Sequence, residues 1–313
     1  MIEFVIAVCT ARRPEMLRRC LKSLIHLDAP KDGRIQIVVI ENDATPDSQF
    51  VVTEVASGTE LPIHYKLQTR RGIPYARNAA LDLATSLNAD WIALIDDDEY
   101  ADPEWLVKLY QGCLDFAADV AHGPVNQICE GVSPDWWEPY SRPERKTGEI
   151  LRGAPTNNIL MRAELVRDSG HAMRFDERLL SGSEDIEFFR RATNNGARII
   201  WVADAWLHES LPASRLTPRR LLARAYMVAT SQTQVSQIQH GKISGMLALM
   251  PKILRRLVVG AISVPVSLLV WVVHPTAGRA MFYSGAFRIV KALGNLSGGF
   301  GHNGAYYRST DGR

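Results

Sequence analysis

The stretch WIALIDDDEY, Trp91 to Tyr100, sets Asp96, Asp97, Asp98 and Glu99 directly behind a run of strand-forming apolar residues. Like charges this close repel, and a carboxylate withdrawn from water without a partner costs on the order of several kcal/mol. A positive partner is therefore expected at the end of this strand. Asp96 and Asp98 alternate, so on an extended backbone both side chains point the same way. Two hard oxygen donors one residue apart form part of a site for Mg2+ or Mn2+, an ion that completes its shell with water and substrate phosphates. The plain alternative is an acidic loop capping the helix that opens near Pro103. The strand before and the helix after favour the metal.

Outward from that point, strands and helices alternate. EFVIAVCT and IQIVVI (Ile35–Ile40) read as strands, with an amphipathic helix from about Pro14 to Leu27 between them. PIHYKL reads as a third strand, and Pro74 opens an alanine-rich helix before WIALI. Short links between alternating elements predict a parallel, nucleotide-binding α/β sheet, in which ligands gather at the carboxyl ends of the strands. The segment from about 120 to 160 reads as irregular. After it, SGSEDIEFFRRATNNG carries a helix start, with Ser183 as the expected N-cap and Gly196 as the stop.

The polar clusters fall where such a sheet binds its ligand. TARR holds Thr10 and Arg12, and ENDATPD holds Glu41 and Asp43. Acids after a second strand can accept hydrogen bonds from a ribose or base, or can simply cap the next helix. Arg71 and Arg77 in RRGIPYARN can pair with phosphates or lie solvated on a helix. Glu184 and Asp185 open a helix behind LLSGS, where a carboxylate can serve as general base or merely complement the helix dipole. His208, at the end of the strand in WLHES, is a candidate third metal ligand. Trp136 and Trp137 in SPDWWEPY, with Asn157 and Asn158 in RGAPTNNILM, are candidates for contact with a sugar or acceptor.

Charge divides the chain. From Trp206 onward there are 13 Lys/Arg against 2 Asp/Glu, whereas the whole chain carries a formal net charge of only +2. An acidic body with a basic tail predicts that the tail meets an anionic surface. Within the tail, PKILRR introduces Leu257–Val273, 17 residues without a charged side chain. As a helix this run reaches about 26 Å, slightly short of a hydrocarbon core of about 30 Å. Four scattered cysteines suggest a reducing compartment, and the apolar N-terminus lacks a basic leader, so the body is expected in the cytoplasm. A lipid surface suits the tail better than a nucleic acid, because few aromatics interleave with its charges.

Taken in order, TARRPEMLRRCLKSL, ENDATPD, RRGIPYARNAAL, LIDDDEYADPEWL and SEDIEFFRRA make the chain resemble family 2 glycosyltransferases of the GT-A fold. Within that group it resembles the succinoglycan-type exopolysaccharide glucosyltransferases. The resemblance covers roughly residues 1 to 210. It implies a GT-A domain over 1–215; composition alone, outside the resemblance, predicts a helical, apolar and basic membrane-associating region over 216–313. The resemblance also implies that Thr10 and Glu41 or Asp43 hold the nucleotide, with Arg12, Arg71, Arg77, Asp96 and Asp97 nearby. Asp96 and Asp98 would hold Mg2+ or Mn2+, and Asp185, beside Glu184, would be the base. The implied reaction is an inverting transfer from a nucleotide-sugar donor to a lipid-linked saccharide, at the cytoplasmic face of the cell membrane. Two rivals are a non-catalytic glycan or nucleotide-sugar binding protein and a sugar-1-phosphate nucleotidyltransferase. The second would want a glycine-rich phosphate loop, and VCTARRPEML has no glycine.

Overall fold

In the computed structural model, which describes residues 1–137, 144–180 and 182–301, apolar strands build one mixed sheet of eight. Its strands are β1 (Ile2–Thr10), β2 (Gly33–Glu41), β3 (Ile63–Leu67), β4 (Trp91–Asp96), β6 (Val120–His122), β8 (Ile150–Leu151), β9 (Ile159–Arg162) and β10 (Ile199–Trp201). They run in the order β3-β2-β1-β4-β9-β6-β10-β8. A second sheet joins β5 (Glu99–Ala101), β11 (Leu207–Pro212) and β7 (Val125–Glu130), in the order β5-β11-β7.

The period of two explains the layers. In β1, Phe4, Ile6 and Val8 face one side with Leu17, Leu21 and Leu24 of α1 (Pro14–Leu24), Val51 and Val55 of α2 (Gln49–Ala56) and Trp105 and Leu109 of α4 (Trp105–Asp115). Val5 and Ala7 face the other side, with Ala76, Ala80 and Ala84 of α3 (Ile73–Ser86) and Phe188 and Phe189 of α5 (Glu184–Asn194). Fully burying each large apolar side chain is worth about 1.5–3 kcal/mol, so this double-faced core holds the strand ends in register.

Two departures from the sequence expectation matter for the site. The sheet is parallel over β3-β2-β1-β4 and again between β6 and β10, but β9 enters antiparallel between β4 and β6. The segment expected to be irregular instead contributes β6, β7, β8 and β9. These strands have two to six residues. β9 is apolar on both faces, so neither length nor alternation betrayed it. Ser183 does occupy the N-cap position of α5, but in the left-handed region with φ 67° and without a side-chain capping bond.

Three long helices follow: α6 (Pro218–His240), α7 (Lys242–Val273) and α8 (Pro275–Gly299). They pack through small residues. A side chain at Gly260 would meet Ile289 of α8, and one at Gly285 would meet Ser263 and Val264 of α7. Buried Asn295 donates to the Ala229 carbonyl at 2.7 Å and accepts from Arg256 at 2.6 Å, tying all three helices together. α7 is long and apolar enough to cross a membrane, yet only 11% of its most apolar 18-residue window is buried. Ile243, Leu247, Leu254, Ile262 and Leu269 are exposed along it at helical spacing.

Candidate active site

Parallel pairing of β1 with β4 sets Cys9 opposite Asp96, which carries the loop after Thr10 to the four acids. Burial then sorts those acids. Asp97 and Glu99 are inside, while Asp96 and Asp98 are less covered. Asp97 accepts from Thr10 Oγ1 at 2.8 Å and from Arg13 Nη1 at 3.0 Å. Burial pushes Asp97 up to about 6, against the pull of Arg13. Glu99 accepts from the Asp96 amide at 3.1 Å and from Asn157 Nδ2 at 3.2 Å, which fixes the turn. Its carboxyl is raised well above the usual range by burial and then by Asp96 and Asp98. Asp98 is gripped by Arg215 at 2.8 Å and, more loosely, by Arg13 at 3.4 Å.

Asp96 is different. It lies deep among neighbouring atoms, yet 49% of its side-chain surface is open. Burial raises its pKa, with Arg77 opposing and Asp98 and Asp185 adding. Arg77, on α3, lies 3.8 Å from Asp96 and forms a close ion pair with Glu184 at the start of α5. Desolvation works against the Arg77 charge, but Glu184, Asp96 and Asp185 outweigh it and raise its pKa. Burial pushes Glu184 up to about 7 despite Arg77, with Asp185 adding repulsion. One carboxylate oxygen of Glu184, Oε2, is buried without a hydrogen-bond partner. Glu209, opposite Glu99 in the second sheet, is likewise raised by burial and by Asp98. The corner therefore holds more negative charge than its arginines balance, and part of it is open.

The end of β2 corrects one expectation. Glu41 is fully buried, with both carboxylate oxygens on the Ser48 amide at 2.9 and 3.0 Å and the Tyr65 hydroxyl donating at 2.7 Å. It secures the approach to α2 and does not face a ligand. Asp43 is enclosed by a close Arg12 pair and by Arg71 at 3.7 Å, and Arg12 holds its carboxyl below the usual range. Arg71 remains about half exposed. Asn42 anchors the neighbouring loop, donating to the carbonyls of Gln68 and Arg70 and accepting from the Gly72 amide.

Several other expected residues lie elsewhere. His208 sits opposite Tyr100 in the register of β11 with β5, stacked on that ring at 5.0 Å. Its Nε2 pairs with Asp102 at 3.1 Å and its Nδ1 faces Asn126 at 3.4 Å, so it is not turned toward Asp96 and Asp98. Among the described residues, no group of three or more His, Cys, Asp or Glu side chains forms a metal cage. Asn158 is fully buried: its amide donates to the carbonyls of Pro124 and Ala205, and its oxygen accepts from Trp105. It braces the core and cannot meet an acceptor, whereas its neighbour Asn157 stays at the acid turn. Trp136 and Trp137 are not brought to the acids; they line a cavity against α8. Arg13 and Arg215 are the residues that sequence reasoning missed. Arg13 was legible beside Arg12 in TARR, but nothing in the sequence linked Arg215 to an acid 117 residues away.

The fold and the charged corner can now be compared with known proteins. The model of the family described as Glycosyl transferase family 2 matches residues 5–173. The chain is also 32% identical over 226 residues to the succinoglycan biosynthesis protein ExoM of Rhizobium meliloti (strain 1021), covering 71% of each chain. The chain belongs to glycosyl transferase family 2. Its likeness to a mannosyltransferase of Pyrobaculum calidifontis, solved with GDP-Man and Mn2+, has a TM-score of 0.62 at 17% identity, covering 94% of this chain and 86% of the other. Residues 1–349 of S. aureus TarS, solved with UDP, match with a TM-score of 0.50 at 19% identity, covering 100% and 95% of the two chains. Against a longer TarS chain the match spans 42% of that protein. The family places this chain among glycosyltransferases, and the two structural likenesses agree on the GT-A-like sheet.

Proposed function

We propose that the chain moves a hexose from a UDP-sugar, with UDP-glucose the first donor to test, onto a hydroxyl of a lipid-linked saccharide. The reaction inverts the anomeric centre and takes place at the cytoplasmic face of the cell membrane. The observation that carries this reading is the meeting of Asp96, Arg77, Glu184 and Asp185 at the carboxyl end of the sheet. Residues 1–215 would form the transferase domain and 216–313 the membrane-associating one. The UDP-bound TarS relative and the exopolysaccharide role in the name of the ExoM relative support donor and setting.

The acid corner suits a divalent cation, because its carboxylates are oxygen donors with uncompensated charge and Asp96 is half open. Asp96 and Asp98 would hold it, as Mg2+ or Mn2+. Such an ion stabilises the charge that develops on a departing diphosphate. Arg77, still charged and beside Asp96, adds a guanidinium to the same phosphates. Glu184 holds Arg77 in place from behind. Asp185 is less buried, keeps one oxygen on the Ile186 amide at 2.7 Å, and has the other for the acceptor hydroxyl proton. Asp43 and Arg71 lie at the neighbouring strand end, where a ribose or base would sit. Thr10 and Asp97 act by bracing the corner, and Arg12 by orienting Asp43.

One observation favours a second reading. Arg13 and Arg215 already pair with Asp98, so these guanidinium groups can take the place of a divalent cation in a protein that binds nucleotide without turnover. A screen of UDP-, GDP- and dTDP-sugars with and without Mn2+ separates the two. Metal-dependent transfer, abolished in Asp185→Asn with UDP binding retained, supports the enzyme. Nucleotide binding indifferent to metal, with neither hydrolysis nor transfer, supports the binding protein.

A further inference from the structure

A basic counterpart to the acid corner lies among the C-terminal helices. A cavity of about 440 Å³ opens between α7, α8 and the loop after β7. Four cations line it: Arg255 and Arg256 from α7, Arg288 and Lys291 from α8. No carboxylate lines it among the described residues. Burial and then the neighbouring cations Arg256 and Arg288 hold Lys291 below its ordinary range. Crowded cations that lower one another create a standing demand for an anion.

Aromatic rings share the lining with these cations. Trp136 lies 4.1 Å from Tyr283 between ring centres, and Trp137 and Phe287 also line the cavity. Asp135 pairs with Arg279 of α8, which moors the loop to the helix just before the tryptophans. The same loop continues from β7, whose partner β11 also pairs with the strand that carries Glu99. One small sheet thus connects this cavity to the acid corner.

The cavity also adjoins the least water-compatible part of the surface. Arg255 and Arg256 immediately precede the apolar run of α7, where Val258, Ile262, Leu269 and Val272 are 49–84% exposed. A soluble anion would need the cations but would have no use for such a stripe. A phosphate attached to an apolar chain would use both: its charge in the cavity, its chain along α7.

We infer that the cavity bounded by Arg255, Arg256, Arg288, Lys291 and Trp136 binds the phosphate or diphosphate of a lipid, with the lipid chain laid against the exposed face of α7. The inference rests on the proposed lipid-linked acceptor and gives that acceptor a place of attachment. The guanidinium groups and the lysine ammonium grip the phosphate oxygens, and the rings of Trp136 and Tyr283 offer an apolar face to the sugar next to it.

Isothermal titration of the full chain in mild detergent with farnesyl diphosphate tests this, with inorganic diphosphate and UDP as comparisons. Farnesyl diphosphate is expected to bind at least tenfold more tightly than inorganic diphosphate and not to be displaced by UDP. The double change Arg288→Gln with Lys291→Gln should weaken it at least tenfold while UDP affinity stays within threefold. The charge-keeping pair Arg288→Lys with Lys291→Arg should restore most of the affinity, which a mere folding defect would not. Displacement by UDP would put the probe in the donor site and overturn the inference. So would equal affinity for inorganic diphosphate, an unaffected double variant, or no binding. Loss of UDP binding with farnesyl diphosphate binding intact would strike the proposed donor reaction and leave the cavity standing; the reverse would strike the cavity alone.

Discussion

Two charged clusters face opposite problems in this molecule. At the end of β4, acids are crowded together, and arginines from α3, from the loop after β1 and from the approach to α6 converge on them. Between α7 and α8, bases are crowded together, and no described acid lines their cavity. The first cluster is largely preorganised by its own chain and keeps one open carboxylate. The second leaves its charge to be met from outside. Like charge gathered by a fold thus marks a site in both cases, but only the internal partners say which parts are scaffold and which are available.

The largest effect should come from the open side of the acid corner. Asp185→Asn is expected to lower kcat by about 10²–10⁴-fold, the usual worth of a positioned general base, with UDP affinity within threefold by titration. A matching fall in UDP affinity would place Asp185 in binding and blur the contrast with the scaffold acids. Next comes Arg77→Leu, which strands the buried Glu184 carboxylate. Breaking a buried pair from one side costs about 3–5 kcal/mol, so thermal unfolding should move down by many degrees, more at pH 8 than at pH 5.

Glu184 itself sharpens the comparison through pH. Its folded pKa, raised to about 7 from an ordinary 4.5, means the native state binds the proton more tightly than the unfolded chain. Its contribution is fully present below about pH 4.5 and is lost as pH rises through about 7. Glu184→Gln should therefore flatten the fall in unfolding temperature across that window, and an unchanged slope would assign the trend to other groups. A smaller effect is expected for Arg215→Ala. Removing one charge-assisted bond from Asp98, worth roughly 1.5–3 kcal/mol, should tighten Mn2+-dependent UDP binding about tenfold. If binding weakens instead, Arg215 belongs with the nucleotide and not in competition with the metal. The smallest effect should be on the basic side: Leu269→Lys should shift the chain from the membrane pellet toward the soluble fraction in a salt wash, leaving the fold unchanged.

How much of this was legible before the structure depends on how local each signal was. The parallel half of the sheet was plain, because β1, β2 and β4 are apolar runs closed by polar turns. β9 was not, since its three buried residues, Ile159, Leu160 and Met161, are consecutive and carry no period. In the site, Asp96 and Glu184 stood out because each sits at the end or start of a regular element, whereas Arg77, inside α3, looked equally like a solvated helix position. Glu41 misled: a carboxylate after β2 looks the same whether it faces a ligand or, as here, folds back onto Ser48. Asn158 misled for a similar reason, since an amide in a loop gives no hint that three partners enclose it. Arg215 was invisible because only the pairing of β11 with β5 brings it to Asp98. Trp136 and Trp137 were recognisable as candidates for stacking, but the ring partner of Trp136, Tyr283, lies in a helix that sequence order keeps far away.

The exposed face of α7 has a practical consequence at the bench. An apolar strip running from Ile243 to Val273 is large enough to seek another surface when lipid is withheld. Purified into plain buffer, copies of the chain should stick to one another through this helix and sediment as mixed aggregates, and amphiphile above its critical micelle concentration should return them to a single species. An oligomer seen only without amphiphile would then be a product of the solvent, and its symmetry would carry no message about the working protein.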